Sequence, residues 1–143
     1  MRNTVPFAEK LNLEKAIRLM EVARSKADEI GKAFVIAICD ASGDLLSLGR
    51  MDGALLVSIA LAQNKARSAV RIHLDTKDIA PLAQPGASLY GIQNGVEPMC
   101  IFGGGRLLRH KGQMIGAVGV SGGSVEEDLL VADAVVDFFE TTI

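Results

Sequence analysis

Residues 33–50 read AFVIAICDASGDLLSLGR, a pattern that predicts a β-hairpin. The consecutive apolar residues Ala33–Cys39 are typical of a strand that is buried on both faces. Asp40–Asp44 supply turn-forming residues, and Leu45–Arg50 predict the returning strand. Strands joined by a short turn pair antiparallel, so we expect an antiparallel sheet built outward from this hairpin.

The predicted hairpin is flanked by helices. Apolar residues recur at three- and four-residue steps over Leu13–Ile30, with Asn12 as the N-cap and Gly31 as the stop. The alanine-rich stretch at about Leu55–Arg71 predicts a second helix whose small side chains let it lie close to the sheet. Proline and glycine then interrupt residues 72–95, which predict a long irregular connection of the kind that often carries function.

The last third of the chain predicts further strands and a closing helix. We expect strands at Pro98–Phe102, Leu107–Arg109 and Met114–Val120. A capping box at Ser124 and Glu127 starts a helix that runs to about Thr141. The chain is therefore predicted to be one domain, residues 1–143, of the α/β (α+β) class. Its five-stranded antiparallel sheet would lie between helices in a three-layer α/β/α arrangement.

Composition narrows the function classes. Lys and Arg number 15 against 17 Asp and Glu, for a formal charge of −2, and no long basic run is present. We therefore expect no nucleic-acid partner. No apolar run is long enough to cross a membrane and no secretory pattern is visible, so we expect a cytoplasmic protein. Hydrophobic residues make up 49% of the 143 residues, a share that favours self-association.

A serine motif and two histidines raise the possibility of a catalytic or metal site, but the other residues that such a site requires are missing from the sequence pattern. Residues 119–123 match the G-x-S-x-G turn around a nucleophilic serine, Ser121, but the histidine that hydrolases of this type need does not follow it. His73 and His110 share no metal-ligand spacing with each other or with the two cysteines, so we expect no structural zinc. One histidine still suffices to hold a haem iron from one side.

Two glycine-rich stretches are the main candidates for a binding site. Gly122 and Gly123 place backbone N–H groups at the start of the closing helix, where a carboxylate or phosphate binds well. The alternative is that Ser124 and Glu127 already satisfy these donors. Gly103–Gly105 predict either a ligand or partner chain that approaches the backbone closely, or simply a turn. Neither stretch fits a nucleotide-binding loop.

Charged residues near the predicted turns also have two interpretations. Asp40, Asp44 and Asp52 are suited to acid and base catalysis, although aspartates beside glycines commonly hydrogen-bond their own turns. Residues 106–111 carry two arginines, a histidine and a lysine. This cluster either meets an acidic ligand or protects a solvated strand edge from unwanted pairing.

Five motifs occur in an order that makes a family recognisable. They are Asp40-x-x-Gly43-x-Leu45, Arg50-Met51-Asp52-Gly53-Ala54, Lys65-Ala66, Gly103-Gly104-Gly105 and Ile115-Gly116-Ala117-Val118-Gly119-Val120-Ser121-Gly122-Gly123. Over about Leu13–Phe139 the chain resembles the GlcG/HbpS family. That family includes stand-alone proteins of glycolate and of diol or glycerol operons, a haem-binding extracellular protein, and the C-terminal part of PduO-type corrinoid adenosyltransferases.

The resemblance implies a profilin-like fold with a five-stranded antiparallel sheet between helices. It further implies homo-oligomers from dimer to octamer, haem or a corrinoid as cofactor, and an adenosyltransferase or dehydratase as a partner. The chain resembles the cytoplasmic operon type more than the exported haem binder. One departure concerns the segment after the triple glycine, where many members carry a proline and this chain has Arg106-Leu107-Leu108.

The resulting hypothesis is a cytoplasmic, oligomeric binding protein for a tetrapyrrole or a related acidic small molecule, serving glycerol, diol or glycolate metabolism. Two alternatives stay open: an assembly protein without a ligand, and a small enzyme that uses Asp52 with Arg50. The resemblance supplies no axial ligand, so His110 and His73 are the histidine candidates for holding a metal. The residues expected at the ligand site are Arg50, Asp52, Gly103, Gly104, Gly105, Ser121, Gly122 and Gly123.

Overall fold

The computed structural model describes residues 10–95 and 97–143 as a mixed α/β fold. Two short 3-10 turns, Ala80–Ala83 and Ile92–Asn94, belong to the connection between the second and last thirds of the chain. The other elements are, in order, α1 (Leu13–Ile30), β1 (Val35–Asp40), β2 (Leu45–Arg50), α2 (Val57–Ile72), α3 (Thr76–Ile79), β3 (Gly105–His110), β4 (Gln113–Ser121) and α4 (Val125–Thr142).

The predicted hairpin is confirmed and forms one side of the sheet. β1 and β2 pair antiparallel, with Val35 opposite Arg50. The other side of β1 pairs antiparallel with β4, where Val35 lies opposite Ser121. β4 in turn pairs antiparallel with β3, and Gly105 lies opposite Gly119. The strand order within the described residues is therefore β2-β1-β4-β3, with β2 and β3 at the edges.

The predicted strand at Pro98–Phe102 is wrong, so the sheet within the described residues has four strands instead of five. This segment lies beside α2, where the N–H of Cys100 donates to Ser68 Oγ at 2.8 Å. A side-chain hydroxyl thus takes the backbone donor that a strand would direct at its neighbour.

Side chains also occupy the edge of β3 where a fifth strand would pair. The N–H of Gly105 donates to Thr76 Oγ1 at 2.9 Å, and the N–H of Leu107 donates to Asp75 Oδ1 at 2.9 Å. Both acceptors come from the start of α3. Because these edge donors are already satisfied, the segment before β3 gains little by pairing there.

The two longest helices, α1 and α4, begin with the capping residues that the sequence predicts, and α1 also ends at its predicted glycine. Asn12 Oδ1 accepts the N–H of Lys15 at 2.9 Å, and Gly31 ends α1 with a φ of 80°. At the start of α4, Ser124 Oγ accepts the N–H of Glu127 and Glu127 Oε1 accepts the N–H of Ser124, a complete capping box. Among the described residues, no helix has both the length and the apolar character required to span a bilayer.

Alternating side chains of β1 divide the core between the two faces of the sheet. Ile36 and Ile38 pack under α1 and α4, in a cluster that also holds Leu19 and Phe139. On the opposite face, Ala37 packs against Ala62 of α2. The helices therefore cover both faces of the sheet, two on one side and α2 on the other.

Two paired glycines set how closely α2 approaches the sheet. A Cβ at Gly119 would overlap the carbonyl oxygen of Ala62, and a Cβ at Gly105 would overlap that of Lys65. Since Gly105 lies opposite Gly119, the two glycines form one shallow trough in the sheet. The backbone of α2 lies in this trough, which no larger residue would leave open.

Candidate functional site

A cleft of about 450 Å³ opens between α1 and the edge strand β2. Its volume falls within the range of small-molecule sites, about 300–1,000 Å³. Two residues that the sequence predicts for the site, Arg50 and Asp52, lie together in its wall. The cleft is lined by Met20, Arg24 and Asp28 of α1, Ile36 of β1, Gly49 and Arg50 of β2, and Met51 and Asp52 that follow β2.

The R-M-D-G-A motif forms the turn that leaves β2. The N–H of Met51 donates to the carbonyl oxygen of Phe34 at 3.0 Å, which extends the pairing with β1 beyond the strand. Gly53 then has a φ of 85°, a left-handed conformation that glycine adopts without strain. The turn holds Arg50 and Asp52 at the rim of the cleft, and both are exposed.

Two thioethers belong to the same cleft. A Cβ on Gly49 would lie 2.7 Å from Met20 Sδ, so the glycine makes room for this sulfur. The N–H of Phe34 donates to Met51 Sδ at 3.4 Å, which fixes the second side chain. Thioether sulfur is a soft ligand and serves as an axial ligand to haem iron in some proteins. Sequence reasoning missed both methionines as site residues, although Met51 lies inside a quoted motif.

Two arginines, Arg24 and Arg50, and two aspartates, Asp28 and Asp52, are among the residues that line the cleft. The guanidinium of Arg24 also lies 3.9 Å from the carboxylate of Glu21 on the exposed surface of α1. Such exposed pairs contribute little in water. The guanidinium groups therefore keep donors for a carboxylate ligand, which they bind in a bidentate manner. Arg24 is a further residue that the sequence alone did not assign.

The chain's own atoms surround Gly103–Gly105. A Cβ on Gly103 would lie 3.0 Å from Leu129 of α4, and a Cβ on Gly104 would lie 2.7 Å from Lys65 Nζ. All three glycines are buried. The close approach that the triplet predicts is thus made by α2 and α4 of the same chain. A ligand contact at these glycines stays a prediction.

The Ser121–Gly123 turn is also filled by neighbouring groups. Ser121 is buried, and its hydroxyl donates to Ser58 Oγ at 3.0 Å. The N–H of Gly123 donates to Asp128 Oδ1 at 3.0 Å. A carboxylate of the chain itself therefore lies at the N-terminus of α4, where the sequence analysis allowed either a free anion or capping. The role of this turn in ligand binding stays a prediction.

A buried ion pair that sequence reasoning did not find joins α2 to α4. Lys65 is completely buried, and its Nζ donates to Asp128 Oδ2 and to the carbonyl oxygen of Val120, both at 2.8 Å. The ammonium also lies 5.1 Å from the centre of the Phe102 ring. Burial raises the pKa of Asp128, while Lys65 and the N–H of Gly123 act to lower it. The only sequence signal was the Lys-Ala motif on an otherwise small-residue helix face.

The two histidines lie apart from the cleft between α1 and β2. His73 is exposed and ends α2 with a φ of 60°, so its backbone has a structural role. His110 lines a second cleft of about 350 Å³ between α1, α4 and the hairpin of β3 and β4, together with Arg18 and Phe139. Within the described residues, no three His, Cys, Asp or Glu side chains are grouped to hold a metal ion.

The cationic residues at 106–111 do not act as one group, because Arg106 forms ion pairs with aspartates elsewhere in the chain. Arg106 Nε lies 3.2 Å from Asp75 Oδ2, and Arg106 Nη1 lies 2.8 Å from Asp133 Oδ1. His110 instead points to the second cleft. Of the three aspartates near predicted turns, Asp40 accepts backbone N–H groups of its own turn, which was one of the two interpretations from the sequence.

Both cysteines are free thiols in the core. Burial raises the pKa of Cys39 to about 12, and burial likewise raises the pKa of Cys100. At neutral pH these groups are protonated, so neither has the thiolate character of a reactive cysteine.

Comparison with known proteins agrees with the motifs. A family model described as haem degrading protein HbpS-like matches residues 11–137. The chain is 40% identical over 130 residues to an uncharacterized 15.0 kDa protein of the dhaT-dhaS intergenic region in Citrobacter freundii, covering 90% of this chain and 92% of that protein.

Two further relatives carry names that bear on a ligand. The chain is 38% identical over 127 residues to the corrinoid adenosyltransferase PduO of Citrobacter freundii, and this match covers 88% of this chain but only 38% of PduO. A crystal structure of a PduOC:heme complex superposes with a TM-score of 0.87 and 36% identity, covering 90% of this chain and 94% of that one. From the motif order, the fold and these matches together, the chain belongs to the HbpS-like family, in which the GlcG/HbpS resemblance had placed it.

Proposed function

We propose that the chain binds haem in the cleft between α1 and β2. The observation that carries this proposal is the lining of that cleft, where the R-M-D-G-A motif meets two thioethers and a second arginine. The PduOC:heme complex, which shares this fold, shows that a related domain takes the same ligand. The proposal extends that ligand to this chain and assigns it a location.

The cleft has the chemistry that a haem requires. Met20 and Met51, which are partly buried, supply apolar side chains for the flat macrocycle, with the buried Ile36 behind them. Arg24 and Arg50 supply guanidinium groups for its two propionates. Met20 is the better candidate for contact with iron, because Met51 Sδ already accepts a hydrogen bond. Bound haem supplies an iron centre for redox and gas-ligand chemistry, while the residues of the chain bind and orient it.

The proposal also covers the oligomeric state, compartment, pathway and partners of the chain. A homo-oligomer in the cytoplasm, accessory to glycerol, diol or glycolate metabolism, is the arrangement that the family resemblance implies, and it forms part of this proposal. The PduO match makes a corrinoid the alternative tetrapyrrole and an adenosyltransferase or dehydratase a partner to test. An assembly role without a ligand, and an enzyme that uses Asp52 with Arg50, remain the competing hypotheses. The exposed Asp52 beside Arg50 supports the second of these.

Haemin titration followed by visible absorbance tests the proposal. We expect a saturable Soret shift for the unmodified chain and a dissociation constant at least about tenfold higher for Arg24→Gln/Arg50→Gln, because both propionate partners are lost. The matched controls are Arg18→Gln and His110→Ala, which alter the second cleft and should bind as the unmodified chain does. An absent Soret shift overturns haem binding. If only the controls lose haem binding, the proposed location is wrong and the haem site is the cleft that His110 lines.

A further inference from the structure

We propose that the second cleft, between α1, α4 and the hairpin of β3 and β4, binds the phosphate group of a small organic phosphate. Three side chains that can donate hydrogen bonds to an anion line this cleft: Lys15 and Arg18 of α1, and His110 at the end of β3. Phosphate binding here goes beyond the proposed haem binding and does not depend on it.

The lining of the second cleft carries charge of one sign. None of the residues described along this lining is an aspartate or a glutamate. The cleft between α1 and β2, by contrast, includes Asp28 and Asp52. Beneath the second cleft lie Ile115 and Phe139, which are 3% and 1% exposed and form part of the core. A cleft with charges of one sign and walls of low dielectric concentrates the field on small ions of the opposite sign.

Arg18 is the group that we expect to bind the phosphate directly. Its guanidinium carbon lies 5.6 Å from the centre of the Phe138 ring, a contact that restricts its orientation. Arg18 is exposed and forms no ion pair with the part of the chain that the structure describes. The donors of Arg106, in contrast, are engaged by two aspartates. Arg18 therefore retains the planar fork of N–H groups that binds two phosphate oxygens at once.

The number of donors and the volume favour a phosphate monoester over a simple carboxylate. A phosphate monoester offers three acceptor oxygens and nearly two negative charges at neutral pH, whereas a carboxylate offers two oxygens and one charge. The cleft volume of about 350 Å³ equals that of roughly 12 water molecules at about 30 Å³ each. A phosphate group fills only part of this space, and the remainder accommodates a short organic group.

Calorimetric titration of the haem-free chain tests the proposal with two probes, inorganic phosphate and ethyl phosphate. We expect saturable binding of both, with ethyl phosphate at least as tight. Arg18→Gln should raise both dissociation constants at least about tenfold, because a charge-assisted contact is lost. The matched control is Lys26→Gln, which removes one positive charge from the same helix at a residue paired with Glu29. Its dissociation constants should stay within about twofold of those of the unmodified chain.

Three outcomes overturn the proposal. If neither probe binds saturably, the cations only offset the negative end of α4, which borders the same cleft. If Lys26→Gln weakens binding as much as Arg18→Gln does, the probes respond to diffuse surface charge. If inorganic phosphate binds and ethyl phosphate does not, the organic ligand is wrong.

Two further variants keep the test decisive. Circular dichroism reports whether Arg18→Gln folds, and if it does not, His110→Ala replaces it and should also weaken binding of both probes. Arg18→Lys keeps the charge but loses the fork, so its affinity should lie between those of the unmodified chain and Arg18→Gln. An Arg18→Lys variant as weak as Arg18→Gln supports bidentate binding, and a full loss of discrimination among all three chains contradicts a direct contact with Arg18.

Discussion

The two edge strands of the sheet, β3 and β2, differ in whether other parts of the chain cover their outer backbone N–H groups. Along β3, Thr76 and Asp75 accept the N–H groups of Gly105 and Leu107, and the edge is closed by side chains of the same chain. Along β2, no strand among the described residues pairs with the outer side, and the strand borders the cleft lined by Met20, Arg24 and Met51. The edge left without such internal partners is therefore the one beside which we propose a binding site.

The charged side chains beside the two edge strands also differ in how deeply they are buried. Next to β3, Lys65 and Asp128 form a buried ion pair at 2.8 Å, and Gly104 and Gly105 pack against Lys65. Next to β2, the charged groups Arg24 and Arg50 lie at the rim of an open cleft. Removing one partner of the buried pair beside β3 would therefore leave an unpaired charge in the interior, whereas Arg24 and Arg50 are exposed to solvent.

Replacing Lys65 with methionine should have the largest effect on stability. The variant leaves Asp128 buried without its cation, a change that typically costs about 3–5 kcal/mol. Urea denaturation measures the loss. The matched control is Lys26→Met, which removes an exposed pair with Glu29 and should change the free energy of unfolding by about 0.5 kcal/mol or less. A Lys65→Met variant within 1 kcal/mol of the unmodified chain, a margin of about the size of one hydrogen bond, contradicts the structural role of the pair.

Alanine at equivalent glycines compares the two sides directly. Gly105→Ala forces a Cβ onto the backbone of Lys65, and overpacking against backbone should cost about 3 kcal/mol. Gly49→Ala, beside β2, meets only the flexible end of Met20 and should cost about 1 kcal/mol or less. Urea midpoints of the two variants give the comparison. Equal losses would show that the side beside β2 is packed as rigidly as the side beside β3.

Gly49→Ala also tests the haem site that we propose in the cleft between α1 and β2. The added methyl group displaces Met20 Sδ from its present position. If haem occupies this cleft, the Soret spectrum or haemin affinity of Gly49→Ala should change while its stability stays nearly normal. An unchanged spectrum would remove Met20 from the ligand site.

Sequence periodicity and capping chemistry predicted most of the fold, because these signals are local. The hairpin at residues 33–50, both ends of α1 and the start of α4 follow from turn and cap residues a few positions apart. The strand expected at Pro98–Phe102 was wrong, because its apolar run does not show that Ser68 takes its backbone donor. That contact joins residues far apart in the sequence, and no local pattern encodes it.

The candidate site was predictable only in part for the same reason. Arg50 and Asp52 stand out because they belong to one short motif. Met20 and Arg24 lie on α1 and reach the cleft only through the packing of α1 against β2. Glycine signals were ambiguous, since close approach by a ligand and close approach by a helix of the same chain demand the same small residue.

The smallest predicted effect is a pH response at the capping box of α4. Glu127 pairs with Lys32 at 2.8 Å and accepts the N–H of Ser124, and these contacts lower its pKa from 4.5 to about 2. A lowered pKa means that the ionised form stabilises the fold, so this contribution is present above pH 4.5 and disappears as the pH falls to about 2. Glu127→Gln keeps the capping hydrogen bond but loses the charge.

Its melting temperature should therefore lie slightly below that of the unmodified chain at neutral pH, by at most a few degrees, and the gap should close on acidification. Glu29→Gln, at an exposed pair on α1, provides the control. Thermal melts across this pH range measure both gaps. A Glu127→Gln gap that stays constant with pH would mean that the charge of Glu127 does not stabilise the fold, and that the start of α4 depends on packing and on the buried Lys65–Asp128 pair instead.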